Sequence, residues 1–372
     1  MTEQQLYTLL EMPSEAVEAL NEAEGKLNLK ELAAPIAALT DPMRYDMARK
    51  DLEQQLSDDP KGWKILRCMF AAMVRTYEHY QEAGISEQTF ADTMKCFPRF
   101  VREHKESFGD YGFDRAFWPG RQLSMLLFRL GALEFELIPE AGAADELPEK
   151  EAARAFYLPV KEIGVHIPSD ADISPARVQI SFMLANMFFA KHVPQAAICR
   201  YTCESWMMSP ALQKLLPQTS RILQFQKHFT VTHWEKGSEE DCWQWVFRAA
   251  KDCPLEHLPE NTSLQRSMKE YLKNGGAVGV AEAVWDGSPF FEVTPVYILM
   301  PTNCSAAKQL PQFCKHSKSA DLLRKSLLSH VWRIPSSKAL SCKHETHDLL
   351  TLVSSSCENT AKKSNDFSLQ KK

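Results

Sequence analysis

The chain has 372 residues, 44% hydrophobic and 24% charged, with a formal net charge of −5. That length allows two or more domains with a substantial core, and the negative balance argues against a general nucleic-acid binder. The longest apolar run, Phe182 to Ala190, is too short to cross a bilayer, so no membrane insertion is expected.

The first residues, MTEQQLYTLLEMP, lack a basic n-region ahead of an apolar stretch, so no secretory signal is expected. Ten cysteines without CxxC pairs suit reduced thiols in a cytoplasm better than a disulfide framework. Residues 1–115 form a predicted helical domain. In WKILRCMFAAMVRTYEHY, Trp63, Leu66, Met69, Phe70, Met73, Val74 and Tyr77 share one helical face. Ser86 before EQTFADTMKCF is an N-cap, with Glu87 in the first turn near the positive end of the dipole. Pro13, Pro42 and Pro60 punctuate the helical patterns.

Character changes after GDYGFDRAFWPGR, and residues 116–285 are expected to form an α+β domain. In LLFRLGALEFELIPE, Leu133, Phe135 and Leu137 alternate with Glu134 and Glu136, the period of a half-buried strand. EAGAADELPEKEAA reads as a mobile connection. Glu162 to Pro217 then reads as one crossover unit. It comprises a strand over 162–168, the polar loop SDADIS, a helix from Pro175 to about His192, and a strand over 196–206. Strands joined through a helix of this length must be parallel. Their carboxyl ends and the helix's amino end form a cleft suited to an anionic ligand. Within the helix, Ile180, Met183, Leu184, Met187 and Phe188 repeat at core spacing. A new helix starts at Ser209-Pro210, SRILQFQKHFTVTHWE (220–235) is a further strand, and LPENTSLQRSMKEYLKNGG is a helix. Thr262 and Gln265 make a capping box there, and Gly275-Gly276 is the stop. AVGVAEAVW closes a mixed sheet with flanking helices.

Residues 286–372 hold half of the serines, four cysteines and one glycine, and are net basic by five charges. No period or cap organises them. They read as an unstructured tail or a non-native extension, and no function is drawn from them.

FADTMKCFPRFVREH, WPGRQLSMLLFRLGALEFE, VHIPSDADIS, CESWMMSPALQKLLPQTSRILQFQKHF and LPENTSLQRSMKEYLKNGG follow one another over residues 1–284. In this order they resemble the bacterial acyltransferase family that pairs a helical N-acyltransferase N-terminal domain with a GNAT-like C-terminal domain. The resemblance implies a mixed sheet that binds acyl-CoA as co-substrate and passes its acyl group to an amine-type small-molecule acceptor, with no metal. Two departures stand out. GNAT enzymes usually hold the CoA pyrophosphate with a glycine-containing loop, whereas Ser169 to Ser174 has no glycine and carries Asp170 and Asp172. A histidine commonly stands where this chain has Glu204, in a C-H-S-W block.

Acyl transfer to an amine needs a proton acceptor, an oxyanion donor and protonation of the leaving thiolate. The implied oxyanion donor is a backbone N–H between Val165 and Ile167, and Ser169, Ser174, Ala176 and Arg177 flank the implied phosphate position. His166, at the strand end, is one candidate base, or else a hydrogen-bonded strand histidine. Glu204 is the other, or else an exposed strand-end carboxylate. Tyr201 and Cys203 share a strand face and are candidates to protonate or shield the sulfur. Cys203 as a nucleophile lacks any signature of activation. Ser205 and Trp206 shape a substrate pocket or pack under the next helix. Trp206, Met207, Met208 and Phe225 suit an acyl chain longer than acetyl, or a core. Cys199, Cys203 and His192 fit no standard zinc spacing. The rival function is a non-catalytic acyl-CoA-binding or partner-binding module on the same fold, favoured by the acidic loop.

Overall fold

A computed structural model of the chain describes residues 1–142, 154–237 and 239–287. The helical part contains α1 (Glu3–Leu9), α2 (Ser14–Glu24), α3 (Ala33–Ala38), α4 (Tyr45–Gln55), α5 (Trp63–Glu82), α6 (Glu87–Met94), α7 (Cys96–Phe108) and the short α8 (Gly120–Leu123). In α5, Leu66, Met69, Phe70, Met73 and Tyr77 are buried, as the apolar period requires. Its first turn is capped from a distance: Asp59 Oδ2 accepts from the Lys64 N–H at 2.8 Å and the Ile65 N–H at 2.9 Å. Ser86 Oγ caps α6 by accepting from the Thr89 N–H at 3.1 Å.

The sheet comprises β1 (Leu127–Leu130), β2 (Leu133–Pro139), β3 (Val160–His166), β4 (Tyr201–Ser205), β5 (Phe229–Glu235) and β6 (Val280–Trp285), in the order β1-β2-β3-β4-β6-β5. The β3–β4 pair is parallel and the others antiparallel. The parallel pair is joined through α9 (Pro175–His192), so the crossover unit is present. The hairpin between β1 and β2 turns at Gly131, whose φ of 74° lies in the left-handed region that glycine adopts without strain. Three further α-helices lie in the connections from β4 to β5 and from β5 to β6: α10 (Leu212–Leu215), α11 (Arg221–Gln226) and α12 (Ser263–Lys273). The capping box predicted for α12 is formed by Thr262 and Gln265.

Side-chain alternation gives the sheet two different faces. Phe135, Tyr201 and Trp285 meet Phe182 of α9 at ring-centroid distances of 5.5, 5.1 and 4.6 Å. The opposite face, carrying Glu134, Glu136 and His166, meets Arg99, Arg121 and Trp118 of the helical part. One face is therefore an aromatic core and the other a polar seam.

Several local expectations need correction. The strand expected over 220–235 is α11 followed by β5, because the Ile222, Leu223 and Phe225 cluster serves a helix. The strand expected over 196–206 starts only at Tyr201, after a single 3-10 turn at Ala196–Ile198. In α9 the buried face is Val178, Ser181, Phe182, Ala185, Phe188 and Phe189, whereas Met187 is 60% exposed. This helix is apolar around most of its circumference, so spacing alone did not single out the inward face. The mobile connection expected over 140–153 falls largely outside the described residues, as does the tail from 288 onward.

Candidate active site

β3 and β4 pair only at Ile163–Tyr201 and Gly164–Thr202. Beyond that rung both strands continue, but with different partners. β3 stays with β2 as far as the Glu134–His166 pair, and β4 stays with β6 as far as Ser205–Ala281. Each strand is held on its outer side, so the pair opens into a fork at Val165 and Cys203. The Ile163 N–H donates to the Arg200 carbonyl at 2.9 Å, on the β4 side. By strand alternation the Val165 N–H faces that same side, where it closes the Gly164–Thr202 rung at the Thr202 carbonyl, and Ile167 follows it just past the strand end.

His166 ends β3 on the polar face. Its Nε2 lies 2.7 Å from Glu136 Oε2, and Arg121 Nε donates to Glu136 Oε1 at 3.1 Å. Burial raises the proton affinity of Glu136, but the His166 hydrogen bond and the Arg121 charge outweigh it, and its carboxyl is held below the usual range. Trp118 meets the imidazole edge-on, with centroids 5.2 Å apart and planes at 88°. The Arg121 guanidinium lies 4.7 Å over the Trp118 ring, and Trp245, from the β5–β6 connection, lies 6.1 Å from Trp118.

The acidic loop after β3 is neutralised by arginines. Asp170 Oδ1 accepts from Arg129 at 2.7 Å and from Arg99 at 3.3 Å. Burial raises the Asp170 carboxyl, but Arg129 and Arg99 together bring it below its ordinary range. Asp172 Oδ1 accepts from the Ser174 N–H at 2.9 Å and from Arg221 at 2.9 Å. The hydroxyl of Ser169 donates to Glu103, which also pairs with Arg115. Ala176 and Arg177 are exposed in the first turn of α9. The two carboxylates thus meet arginines instead of standing as free negative charge over the helix amino end.

Two family models match the chain in tandem: the N-acyltransferase N-terminal domain over residues 1–125 and the GNAT-like C-terminal domain over residues 127–285. The chain belongs to this acyltransferase family. Among solved structures, an acyltransferase in complex with decanoyl-CoA and teicoplanin shares the fold at a TM-score of 0.57 and 22% identity, covering 76% of this chain and 86% of that one. An acyltransferase in complex with CoA and 10C-teicoplanin aligns at a TM-score of 0.52 and 20% identity, covering 77% of this chain and 99% of that one. No curated protein matches the chain.

In this acyltransferase the candidate residues divide between the two faces. Glu204 is on the polar side with His166 and is exposed. Its carboxyl is raised by desolvation and by the facing carboxylates Glu282, Asp241 and Glu235, with His166 opposing. Tyr201 and Cys203, the candidates to protonate or shield the sulfur, alternate to the other face, away from His166 and Glu204. Tyr201 is buried and donates its hydroxyl proton to Asn186 at 2.8 Å, and Cys203 is 1% exposed with its thiol pushed up to about 12. Val165 is buried on that face as well, and its N–H closes the last rung to β4 at the Thr202 carbonyl. Ser205 Oγ accepts from the Met207 N–H at 3.1 Å and so caps a turn, and Trp206 packs between two apolar clusters. Met207, Met208 and Phe225 are buried in the core. Among the described residues no group of His, Cys, Asp and Glu is arranged to hold a metal, and no helix is long and apolar enough to cross a membrane.

Sequence reasoning missed Glu136, Arg121 and Trp118. The available signals were the glutamates alternating through LEFELIP and the compact WPGR turn, neither of which names its partner across the fold.

Proposed function

We propose that the protein transfers an acyl group from acyl-CoA directly to an amine on a small-molecule acceptor, at the fork between β3 and β4. The observation that carries this reading is the end of the β3–β4 ladder at Gly164–Thr202, with both strands running on. A thioester supplies an activated carbonyl, and a gap between strand ends admits it edge-on to backbone donors. The candidate oxyanion donor is the N–H of Ile167, past the last rung, since that of Val165, the other expected donor, is engaged by the Thr202 carbonyl in the Gly164–Thr202 rung. Ser174, Ala176 and Arg177 at the start of α9 are the candidate phosphate contacts. The fold-mates were solved with decanoyl-CoA, octanoyl-CoA and teicoplanin, which supports an acyl-CoA donor and a small-molecule acceptor.

His166 is the proposed base. It ends the strand whose backbone faces the fork, and an imidazole nitrogen there can accept the proton that the attacking amine sheds. Glu204, on the same polar face, is the second candidate. Tyr201 and Cys203 take no part, since both belong to the aromatic core.

Calorimetric titration with acetyl-, octanoyl-, decanoyl- and palmitoyl-CoA, followed by thiol release across a panel of amines, tests the proposal. Binding with amine-dependent thiol release is expected. Absence of binding to every acyl-CoA would sink it. Binding without release to any amine would favour a sensing module instead.

A further inference from the structure

We propose that Glu136 and Arg121 are positioning residues: they hold His166 with its proton on Nε2 and leave Nδ1 as the nitrogen that takes the acceptor's proton. The proposal rests on the reading of His166 as the base, and it assigns a task to the WPGR turn.

Glu136 is 8% exposed, on β2 directly beside β3. Its two oxygens have different partners, Oε2 with His166 Nε2 and Oε1 with Arg121 Nε. An ionised carboxylate only accepts hydrogen bonds, and Arg121 with His166 keeps this one ionised against its burial. The proton between Glu136 and His166 therefore sits on Nε2, and in the neutral ring Nδ1 is the accepting atom. A carboxylate partner fixes both the tautomer and the ring plane, and it stabilises the imidazolium that forms when a proton arrives.

The WPGR residues hold this arrangement from the helical part. Trp118 braces the imidazole edge-on, and Arg121 lies over the Trp118 ring while donating to Glu136, so one guanidinium fixes both neighbours of His166. Gly120 lets the turn lie against Tyr45: a Cβ there would overlap the ring at Cδ2. The helical part thereby supplies the clamp on a histidine belonging to the sheet.

The charged groups around His166 are Glu136 and Glu134 of β2, Glu204 of β4, and Arg121 and Arg99 of the helical part. In the transfer the amine lone pair attacks the thioester carbonyl, a C–N bond forms and the C–S bond breaks. The proton shed by the nitrogen goes to Nδ1, and the imidazolium returns it to the thiolate.

Two-bond proton–nitrogen spectra of the full chain carrying 15N-histidine, recorded from pH 5 to 8, test the relay without any substrate. His166 is assigned by its loss in His166→Gln. The wild type is expected to show the Nε2–H pattern. In Glu136→Gln both tautomers are expected to appear. In Arg121→Gln the Nε2–H pattern is expected to persist, because the carboxylate stays, while thiol release falls as that carboxylate loses its anchor. A merely structural role does not move the tautomer. An Nδ1–H pattern in the wild type, or an unchanged Nε2–H pattern in a folded Glu136→Gln, would overturn the relay. If Glu136→Gln does not fold, the wild-type pattern decides alone. Undiminished thiol release by His166→Gln would remove the base assignment. An Nδ1–H wild type with inactive His166→Gln would remove the relay and leave the base.

Discussion

Arg99 Nη2 lies 3.0 Å from Glu134 Oε1, and both side chains are almost wholly buried where α7 meets β2. Arg99 also reaches Asp170, so one guanidinium joins the helical part, the sheet and the loop before α9. Removing one partner from such a buried pair leaves the other charge without compensation in a poorly solvating interior. Arg99→Ala should therefore destabilise the fold by about 3–5 kcal/mol. Arg99→Met with Glu134→Leu should cost much less than the two single changes added together. Urea denaturation of the three variants gives the coupling directly, and purely additive losses would contradict a buried pair.

The turn before β1 is a second sensitive point. Gly120 leaves no room for a Cβ beside Tyr45, whose ring carbons Cδ2, Cε2 and Cγ are its three nearest neighbours. Overpacking of this kind typically costs about 1–3 kcal/mol, so Gly120→Ala should lower the melting temperature and disturb the Arg121–Glu136 contact. Placing the same change in a Tyr45→Ala background should remove most of the additional loss. Thermal melts of the single and double variants decide it.

Much of this architecture was legible because local chemistry and tertiary structure agree. The Ser86 cap, the Thr262–Gln265 capping box and the apolar face of α5 are each written in adjacent residues. The alternation of Leu133, Phe135 and Leu137 with Glu134 and Glu136 correctly signalled β2. It suggested a solvated second face, yet both glutamates are buried, since period two records polarity and says nothing of the arginines that cover it. α9 failed in the opposite way: with apolar residues nearly all round, its inward face is set by Phe135 and Tyr201 beneath it. His166 stood out as a strand-end histidine, whereas its partners Glu136, Arg121 and Trp118 come from separate stretches that only the folded chain brings together.

Acid sensitivity follows from the carboxylates held below their ordinary range. Glu136 and Asp170 both bind protons less readily when folded than when unfolded. Their contribution to stability is thus complete above the unfolded carboxyl values of about 4, and is lost as pH falls through the lower folded values. Stability measured between pH 6 and 2.5 should decline along this limb, and Glu136→Gln should flatten it. An unchanged slope in that variant would contradict the ionised state assigned to Glu136. The Asp170 share should be the smaller of the two, since its side chain is 55% exposed and solvent screens the pair.

Cys203 offers a contrasting test at the fork itself. Its thiol faces the aromatic core, and burial first, then the Glu204 charge, push it up to about 12. At neutral pH the nucleophilic thiolate is then a fraction of about one part in 10⁵, and the neighbouring Glu204 charge opposes its formation. Cys203→Ala should consequently leave thiol release within a few-fold of wild type, at a stability cost of about 1 kcal/mol for the small cavity. Intact mass spectrometry after mixing the wild type with decanoyl-CoA should find no acyl adduct at this residue. An adduct that appears with wild type and disappears in Cys203→Ala would replace direct transfer with an acyl-enzyme route. The sulfur would then have to reach the fork from the far side of the sheet, which requires β4 to rotate out of its pairing with β6.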